Sequence, residues 1–313
     1  MKTILGNNIT RAIEHLNNGD VIAMPTETVY GFAANALNES AVKKIFELKQ
    51  RPFSQAISIQ ISSLSEIKKL IKVMPVNAEI LAKNFWPGPL TMIFDKSDYI
   101  PDLVTGGKAT VGIRIPQHEQ SLSLLRKINY PLAVPSANIH NQISCTSAKE
   151  VFKKFENKIN YILDGGASSK GIESTIVGFK KNQVIVFRLG AISINELEKV
   201  FKYKNIIVDQ TKQTNKLGST TPIFKFQDVK LLSEKSYNKI GVIHFDTELI
   251  GVIPKKNQVI LSQKSDINEA SKKLYTAIHK LNLCDLDKIY IKPFPDVDLG
   301  KSINQLIERL TSK

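Results

Sequence analysis

Apolar residues recur along this chain in two rhythms, a three-to-four spacing and a strict alternation, and the two take turns. Val42, Ile45, Phe46 and Lys49 fall at i, i+3, i+4 and i+7, with Asn38 as a cap and Pro52 as a stop, which predicts a helix. Ile57, Ile59 and Ile61 alternate with Ser58 and Gln60, predicting a half-buried strand with two polar side chains on its other face. Asp20–Met24 reads as a short buried strand. Further strands are expected at Leu90–Phe94, Thr110–Ile115, Pro131–Val134, Asn160–Leu163, Ser174–Phe179 and Val184–Arg188, and helices at 76–85, 118–128, 146–157 and 193–202. The polar, aperiodic stretch Asp209–Pro222 marks a linker over residues 203–238. Beyond it, Lys239–Phe245 and Lys288–Lys292 read as strands and Asn268–Leu281 and Ser302–Thr311 as helices, a small α/β unit over 239–313. The class is α/β with two lobes. A length of 313 residues agrees, since single cores stop growing at roughly 250–300.

Composition changes the picture in one respect. Forty-three Lys+Arg against 29 Asp+Glu give a net charge of +14, which points to nucleotides, RNA or a membrane surface as partners. The plainer reading is a Lys-rich compositional bias with most lysines solvated. The excess is +7 in residues 1–200 and +7 in 201–313, so it is not a basic tail. Cys145 and Cys284 form no C-x-x-C pair, which excludes a disulfide scaffold and suits a reducing cytosol. The N-terminus lacks the apolar run of a signal peptide, no stretch approaches the roughly 18 apolar residues of a membrane span, and the five histidines show no metal-ligand spacing.

Chemistry has to come from other devices. No glycine lies two positions from another, so there is no dinucleotide fingerprint, and Thr105-Gly-Gly-Lys108 lacks the rest of a P-loop. In Thr110-Val-Gly-Ile-Arg114, alternation places Thr110, Gly112 and Arg114 on one face. Arg114 reads either as a bidentate carboxylate or phosphate binder or as a side chain on the wet face of an edge strand. Lys49 and Arg51 either complement a helix dipole or bind an anion. Pro135-Ser-Ala-Asn138 follows a short strand, where α/β sheets place ligand loops, or is a capping turn. Asp164–Thr175 is an anion-binding loop or a long hairpin turn, and Trp86-Pro-Gly-Pro89 a rigid corner. Together they supply Lys, Arg, Ser, Thr and Asn with no acid–base pair, an inventory that fits orienting and polarising a polyphosphate.

In order and at matching spacing, Pro25-Thr-Glu-Thr-Val-Tyr-Gly31, Lys49-Gln-Arg51-Pro52, Phe85-Trp-Pro-Gly-Pro-Leu-Thr91, Thr110-Val-Gly-Ile-Arg114, Pro135-Ser-Ala-Asn138 and Ile172-Glu-Ser-Thr-Ile176 resemble the threonylcarbamoyl-AMP synthases. The resemblance implies a YrdC-like catalytic domain over 6–202, a twisted mixed sheet with a large concave basic cavity, followed by a small Rossmann-like C-terminal domain. It also implies a reaction. L-threonine and bicarbonate or CO2 give N-carboxy-threonine, which attacks the α-phosphate of ATP, with Mg2+ on the triphosphate, to release pyrophosphate and threonylcarbamoyl-adenylate for tRNA modification.

Carried over position by position, threonine binding falls on Thr28, Gln60, Arg114, the Val134 backbone and Ser174. Nucleotide binding falls on Arg51, Gln55, Thr110, Ser136, Ser144, Arg188 and Phe224, and the catalytic tetrad on Lys49, Arg51, Ser136 and Asn138. No residue is assigned to a protein-held metal. The implied partners are the substrates and a downstream tRNA threonylcarbamoyl-transferase complex, with room for weak RNA binding and none for a membrane. The implied location is the cytoplasm.

Some positions depart from the pattern. Gln55 stands for Asn, Ala56 for Pro, Gln60 for His and Leu189 for Pro, and Leu217-Gly218…Ile223-Phe224 replaces Pro-Gly followed by His-Tyr. Gln60 cannot titrate, and Phe224 has no hydroxyl for a phosphate. A non-catalytic RNA-binding or ribosome-assembly factor is the alternative from another class. A carbamoyl-adenylate transferase would need zinc-finger cysteines that are missing.

Overall fold

Asparagines open the first two helices because their short amides satisfy backbone N–H groups that have no partner within the helix. Asn8 Oδ1 accepts from Arg11 N at 3.1 Å and Asn38 Oδ1 from Ala41 N at 3.1 Å. The computed structural model describes residues 2–201, 206–209, 216–226, 234–246 and 250–311. In chain order the elements begin with β1 (Ile4–Gly6), α1 (Ile9–Asn17), β2 (Ile22–Met24), β3 (Gly31–Asn35), α2 (Glu39–Lys49), β4 (Ile59–Gln60), α3 (Ile67–Leu70), α4 (Val76–Phe85) and β5 (Leu90–Asp95). Next come α5 (Asp102–Thr105), β6 (Thr110–Arg114), α6 (Glu119–Arg126), β7 (Leu132–Ala133), α7 (Ala148–Phe155), β8 (Tyr161–Leu163), β9 (Thr175–Lys180), β10 (Gln183–Arg188) and α8 (Ile194–Glu198). The chain continues with β11 (Ile206–Val208), β12 (Ile223–Lys225), β13 (Ile240–His244), β14 (Gln258–Ile260), α9 (Ile267–Leu281), β15 (Lys288–Ile291) and α10 (Leu299–Leu310).

The first eleven strands form one mixed sheet in the order β1-β8-β2-β3-β7-β4-β6-β5-β9-β10-β11. The last four form a second sheet, β12-β15-β13-β14, parallel throughout. Within 203–238, β11 therefore belongs to the large sheet and β12 to the small one.

Alternation along the strands divides the large sheet into two faces. Ala23, Phe32, Ala34, Ile59, Ala133, Met92, Ile113, Val177 and Val186 point to the main core with α2, α4 and α7. On the opposite face Ile22, Met24, Ala33, Leu132 and Val134 meet α1 and α6. That second face continues across β4, β6 and β5 with Gln60, Arg114 and Thr91, and on to Ser174 just before β9, and there it borders a cleft. The same register that buries one row of isoleucines thus presents a polar row to an open space. In the small sheet Ile243, Ile289 and Ile291 pack under α9 and α10.

Candidate active site

Arg114 does not lie on an edge strand. Its strand β6 runs between β4 and β5, and the side chain is only 5% exposed. Three groups hold the guanidinium: Nε donates to Gly88 O at 3.1 Å, Nη1 donates to Thr28 Oγ1 at 2.9 Å, and Nη2 lies 2.7 Å from Glu27 Oε2 as an ion pair. The Trp86–Pro89 corner therefore anchors the arginine through Gly88, while Trp86 Nε1 donates to Leu90 O at 2.7 Å. A guanidinium carries five N–H groups, so these contacts leave donors on both terminal nitrogens for a carboxylate. Beyond its ion pair, buried Nη2 has no aligned hydrogen-bond acceptor, and the buried amide oxygen of Gln60, which lines the same cleft, has no donor. Orphaned buried groups cost about 1–3 kcal/mol each, which a ligand supplying their partners would recover.

The cleft is open to solvent on one side and holds a cavity volume of about 190 Å³. Of the expected threonine set, Thr28, Gln60, Arg114, Val134 and Ser174 all line it. Val134 is fixed by N–H donation to Ser58 O at 2.8 Å, and Ser174 Oγ pairs with Thr91 Oγ1 at 2.8 Å. Gly31 lets the chain close here, because a Cβ would come within 2.5 Å of Val134 Cγ1.

From the nucleotide set, Arg51, Ser136 and Arg188 line the cleft. Arg188 follows an irregularity in the β9–β10 register, where Val186 pairs with Val177 and Arg188 with the adjacent Ile176. Such a bulge re-aims a side chain. Its guanidinium donates to Ser174 O at 3.0 and 2.8 Å and to Ser174 Oγ at 3.1 Å, and burial lowers its pKa to about 10. Gln55, Thr110, Ser144 and Phe224 are not among the lining residues. Gln55 accepts from Arg51 through its carbonyl, Thr110 lies at the far end of β6, and Ser144 donates to Glu173 Oε1 at 2.9 Å. Phe224 sits in β12 of the small sheet, its ring 5.9 Å from that of Tyr290. The remainder of the linker expectation lies in part outside the described residues.

Lys49, at the end of α2, is 1% exposed and stands behind the cleft wall. Its ammonium donates to Ser136 O at 2.6 Å, Asn138 O at 2.7 Å and Asn138 Oδ1 at 3.2 Å. All three N–H groups are thus committed to the Ser136–Asn138 loop, not to the carbonyls ending the helix. Burial, aided by the neighbouring Arg51 charge, brings its pKa down to about 7. Ser136 Oγ donates to Asn138 Oδ1 at 2.5 Å, while Arg51 donates to Gln55 O and Ala56 O. The tetrad is one hydrogen-bonded cluster except for Arg51, which joins it across the loop through His140 at 3.4 Å.

Two carboxylates complete the site and were not expected from sequence. Glu27, 3% exposed, balances Arg114, and Glu173 lines the cleft beside Ser174. Each is an acidic residue inside an otherwise uncharged motif, Thr26-Glu-Thr28 and Ile172-Glu-Ser174, and that isolation was the available signal.

The family model described as "Telomere recombination", for Sua5, YciO and YrdC proteins, matches residues 14–190. The chain is 45% identical over 185 residues to the threonylcarbamoyl-AMP synthase of Pyrococcus abyssi, a match covering 59% of this chain and 54% of that protein. It is 31% identical over 319 aligned residues to the Bacillus subtilis threonylcarbamoyl-AMP synthase, covering 96% and 92%. In three dimensions it matches the crystal structure of P. abyssi Sua5 complexed with L-threonine at a TM-score of 0.87 and 31% identity, over 99% of this chain and 98% of that one. The chain belongs to the Sua5/YciO/YrdC family, in the long form whose relatives are threonylcarbamoyl-AMP synthases.

Proposed function

We infer that this protein is a threonylcarbamoyl-AMP synthase: a nucleotidyltransferase that converts L-threonine, bicarbonate or CO2 and ATP into threonylcarbamoyl-adenylate and pyrophosphate for tRNA modification. The observation that carries the reading is the buried Arg114 with donors left over, side by side with the unpartnered Gln60 amide oxygen on the floor of a cleft that also presents Arg51, Ser136 and Arg188.

Arg114 grips the threonine carboxylate, and its pairing with Glu27 sets the fork's orientation before the ligand arrives. Thr28, Gln60, the Val134 backbone and Ser174 complete that pocket. Arg51, Ser136 and Arg188 meet the polyphosphate, and their charge and donors offset the negative charge that develops as pyrophosphate leaves. Lys49 acts through the Ser136–Asn138 loop, which it ties down from behind. Gln55, Thr110 and Ser144 stand at the margins of this set, and Phe224 would reach a nucleotide only by movement of its strand.

The donor set suits a magnesium ion brought in by the triphosphate. Beside its guanidiniums, which cannot ligate a cation, the cleft presents hydroxyls, the Gln60 amide and the lone Glu173 carboxylate, and no group of three or more His, Cys, Asp or Glu gathers among the described residues. When bound, that ion would supply further charge neutralisation. No helix among the described residues is long and apolar enough to cross a membrane. The free thiols of Cys145 and Cys284 suit a reducing cytoplasm. The adenylate would pass to a tRNA threonylcarbamoyl-transferase complex. We also propose that the division at 203–238 separates a catalytic domain from a C-terminal domain that can shift against it.

The test is pyrophosphate release by the purified protein with ATP, bicarbonate and magnesium. Release is expected only when L-threonine is present, and release independent of threonine would overturn the assignment. The non-catalytic RNA-binding alternative would instead give salt-sensitive RNA binding without turnover.

A further inference from the structure

Helix α9 belongs to the small-sheet unit, yet its inner face reaches the wall of the cleft. Ser271 Oγ donates to Lys170 O at 2.9 Å, Thr276 Oγ1 lies 3.0 Å from Thr146 Oγ1, and His279 Nε2 donates to Ser144 O at 2.9 Å. Between them Tyr275, fully buried, shares its phenolic proton with both oxygens of Glu173, each at 2.9 Å. The close approach is built in. Gly171 has φ +73°, and a Cβ there would sit 2.5 Å from Lys272 Cα.

Glu173 is thus pinned by Tyr275 from one side and by Ser144 from the other. It needs pinning. Arg188 lies close enough for its charge to feel Glu173, and both residues line the cleft. They also line a second pocket, of about 190 Å³, whose far wall is Ser302, Gln305 and Arg309 of α10. A carboxylate free to turn would close onto the Arg188 guanidinium and compete with any anion for it.

We propose that Tyr275 is a positioning residue for the nucleotide side of the site: by holding the Glu173 carboxylate it keeps Arg188 available to the polyphosphate. Through this contact the C-terminal unit sets nucleotide affinity without touching the nucleotide. The proposal rests on the reading of Arg188 as a phosphate-binding group.

The experiment compares full-length wild-type, Tyr275→Phe, Glu173→Gln and the double variant by steady-state pyrophosphate release, with ATP and threonine varied separately. Losing one hydrogen bond to a charged group corresponds to about a tenfold change. Tyr275→Phe should therefore raise the KM for ATP about tenfold while the threonine KM and kcat stay within about twofold. Adding Glu173→Gln should return the ATP KM to within about threefold of wild type, because a neutral amide does not close on Arg188.

A packing role alone would raise both KM values together, and the second substitution would add to the damage; either result overturns the proposal. Should Tyr275→Phe fail to fold, Glu173→Gln decides. It should lower the ATP KM about threefold, because it removes the negative charge that competes for Arg188, and an unchanged or raised KM would overturn the proposal. An inactive wild-type protein would count against the functional assignment, whereas an active one with an unaltered Tyr275→Phe variant would count against Tyr275 alone.

Discussion

Arg114 and Arg188 face one cleft but are held in different ways. Arg114 sits mid-sheet, and everything that orients it comes from the large-sheet part of the chain: Gly88, Thr28 and the buried Glu27. Arg188 sits after an irregularity near the sheet's far edge, bonded to Ser174, and its acidic neighbour Glu173 is tethered by Tyr275 of α9. One wall is preorganised by charge pairing within the sheet, and the other is completed from outside it. Such a division lets the affinity for one substrate be tuned while the grip on the other stays fixed.

The largest effect is expected from Arg114→Ala. On the proposed role of Arg114, it removes two charge-assisted hydrogen bonds to the threonine carboxylate and leaves Glu27 facing that carboxylate. Together these are worth about 4 kcal/mol, or about a thousandfold in threonine affinity. Calorimetry with threonine and, separately, with a non-hydrolysable ATP analogue should show the loss for threonine only. Equal losses would mean that the walls are not independent.

Glu27→Gln sharpens the same contrast through stability. Breaking the pair leaves the Arg114 charge buried without compensation, at a cost of about 3 kcal/mol in the ligand-free protein. Threonine then supplies the missing carboxylate, so it should raise the melting temperature more in this variant than in the parent. A smaller shift than in the parent would show that Glu27 and the ligand do not share the arginine.

Much of the large sheet was legible because its strands alternate cleanly. The Ile57-Ile59-Ile61 row and the Val111-Ile113 row are buried as the pattern requires, and Gln60 and Arg114 emerge on the opposite face. The periodicity even placed Lys49 on the apolar stripe of α2, where it proves to be 1% exposed. Strand β3 was illegible: Phe32, Ala33 and Ala34 are all buried, so no alternation marks it. Helix α1 is missing from the expected elements although Ile9, Ala12, Ile13 and Leu16 keep helical spacing.

Central placement of β6 depends on pairing with β4 and β5, which local pattern does not encode, so Arg114 could also be read as an edge residue. The partnerships of the carboxylates are longer still. Arg114 meets the Thr26–Thr28 turn across 86 residues, and Tyr275 meets Glu173 across 102. The motifs locate the groups, but the sheet order decides which charges meet.

The smallest expected effect separates the walls by protons. Lys49 has its pKa depressed to about 7 by burial and by Arg51, and it lies directly behind the loop that carries Ser136. At pH 8 only about a tenth of such a group is protonated. A polyphosphate arriving at Arg51 and Ser136 favours the charged form and drives the pKa back towards the ordinary lysine value. Binding of the ATP analogue at pH 8 should then take up a fraction of a proton, at most about 0.9, and the uptake should fall to about 0.1 or less at pH 6, where Lys49 is already mostly charged.

Threonine alone adds a carboxylate that Arg114 receives, and it should take up none. Calorimetry in buffers of different ionisation enthalpy measures both. His140, also depressed by burial and by Arg51, faces the same loop, so Lys49→Met is needed to assign the proton. Uptake that persists in that variant would move the assignment to His140. Uptake with threonine alone would erase the distinction between the walls.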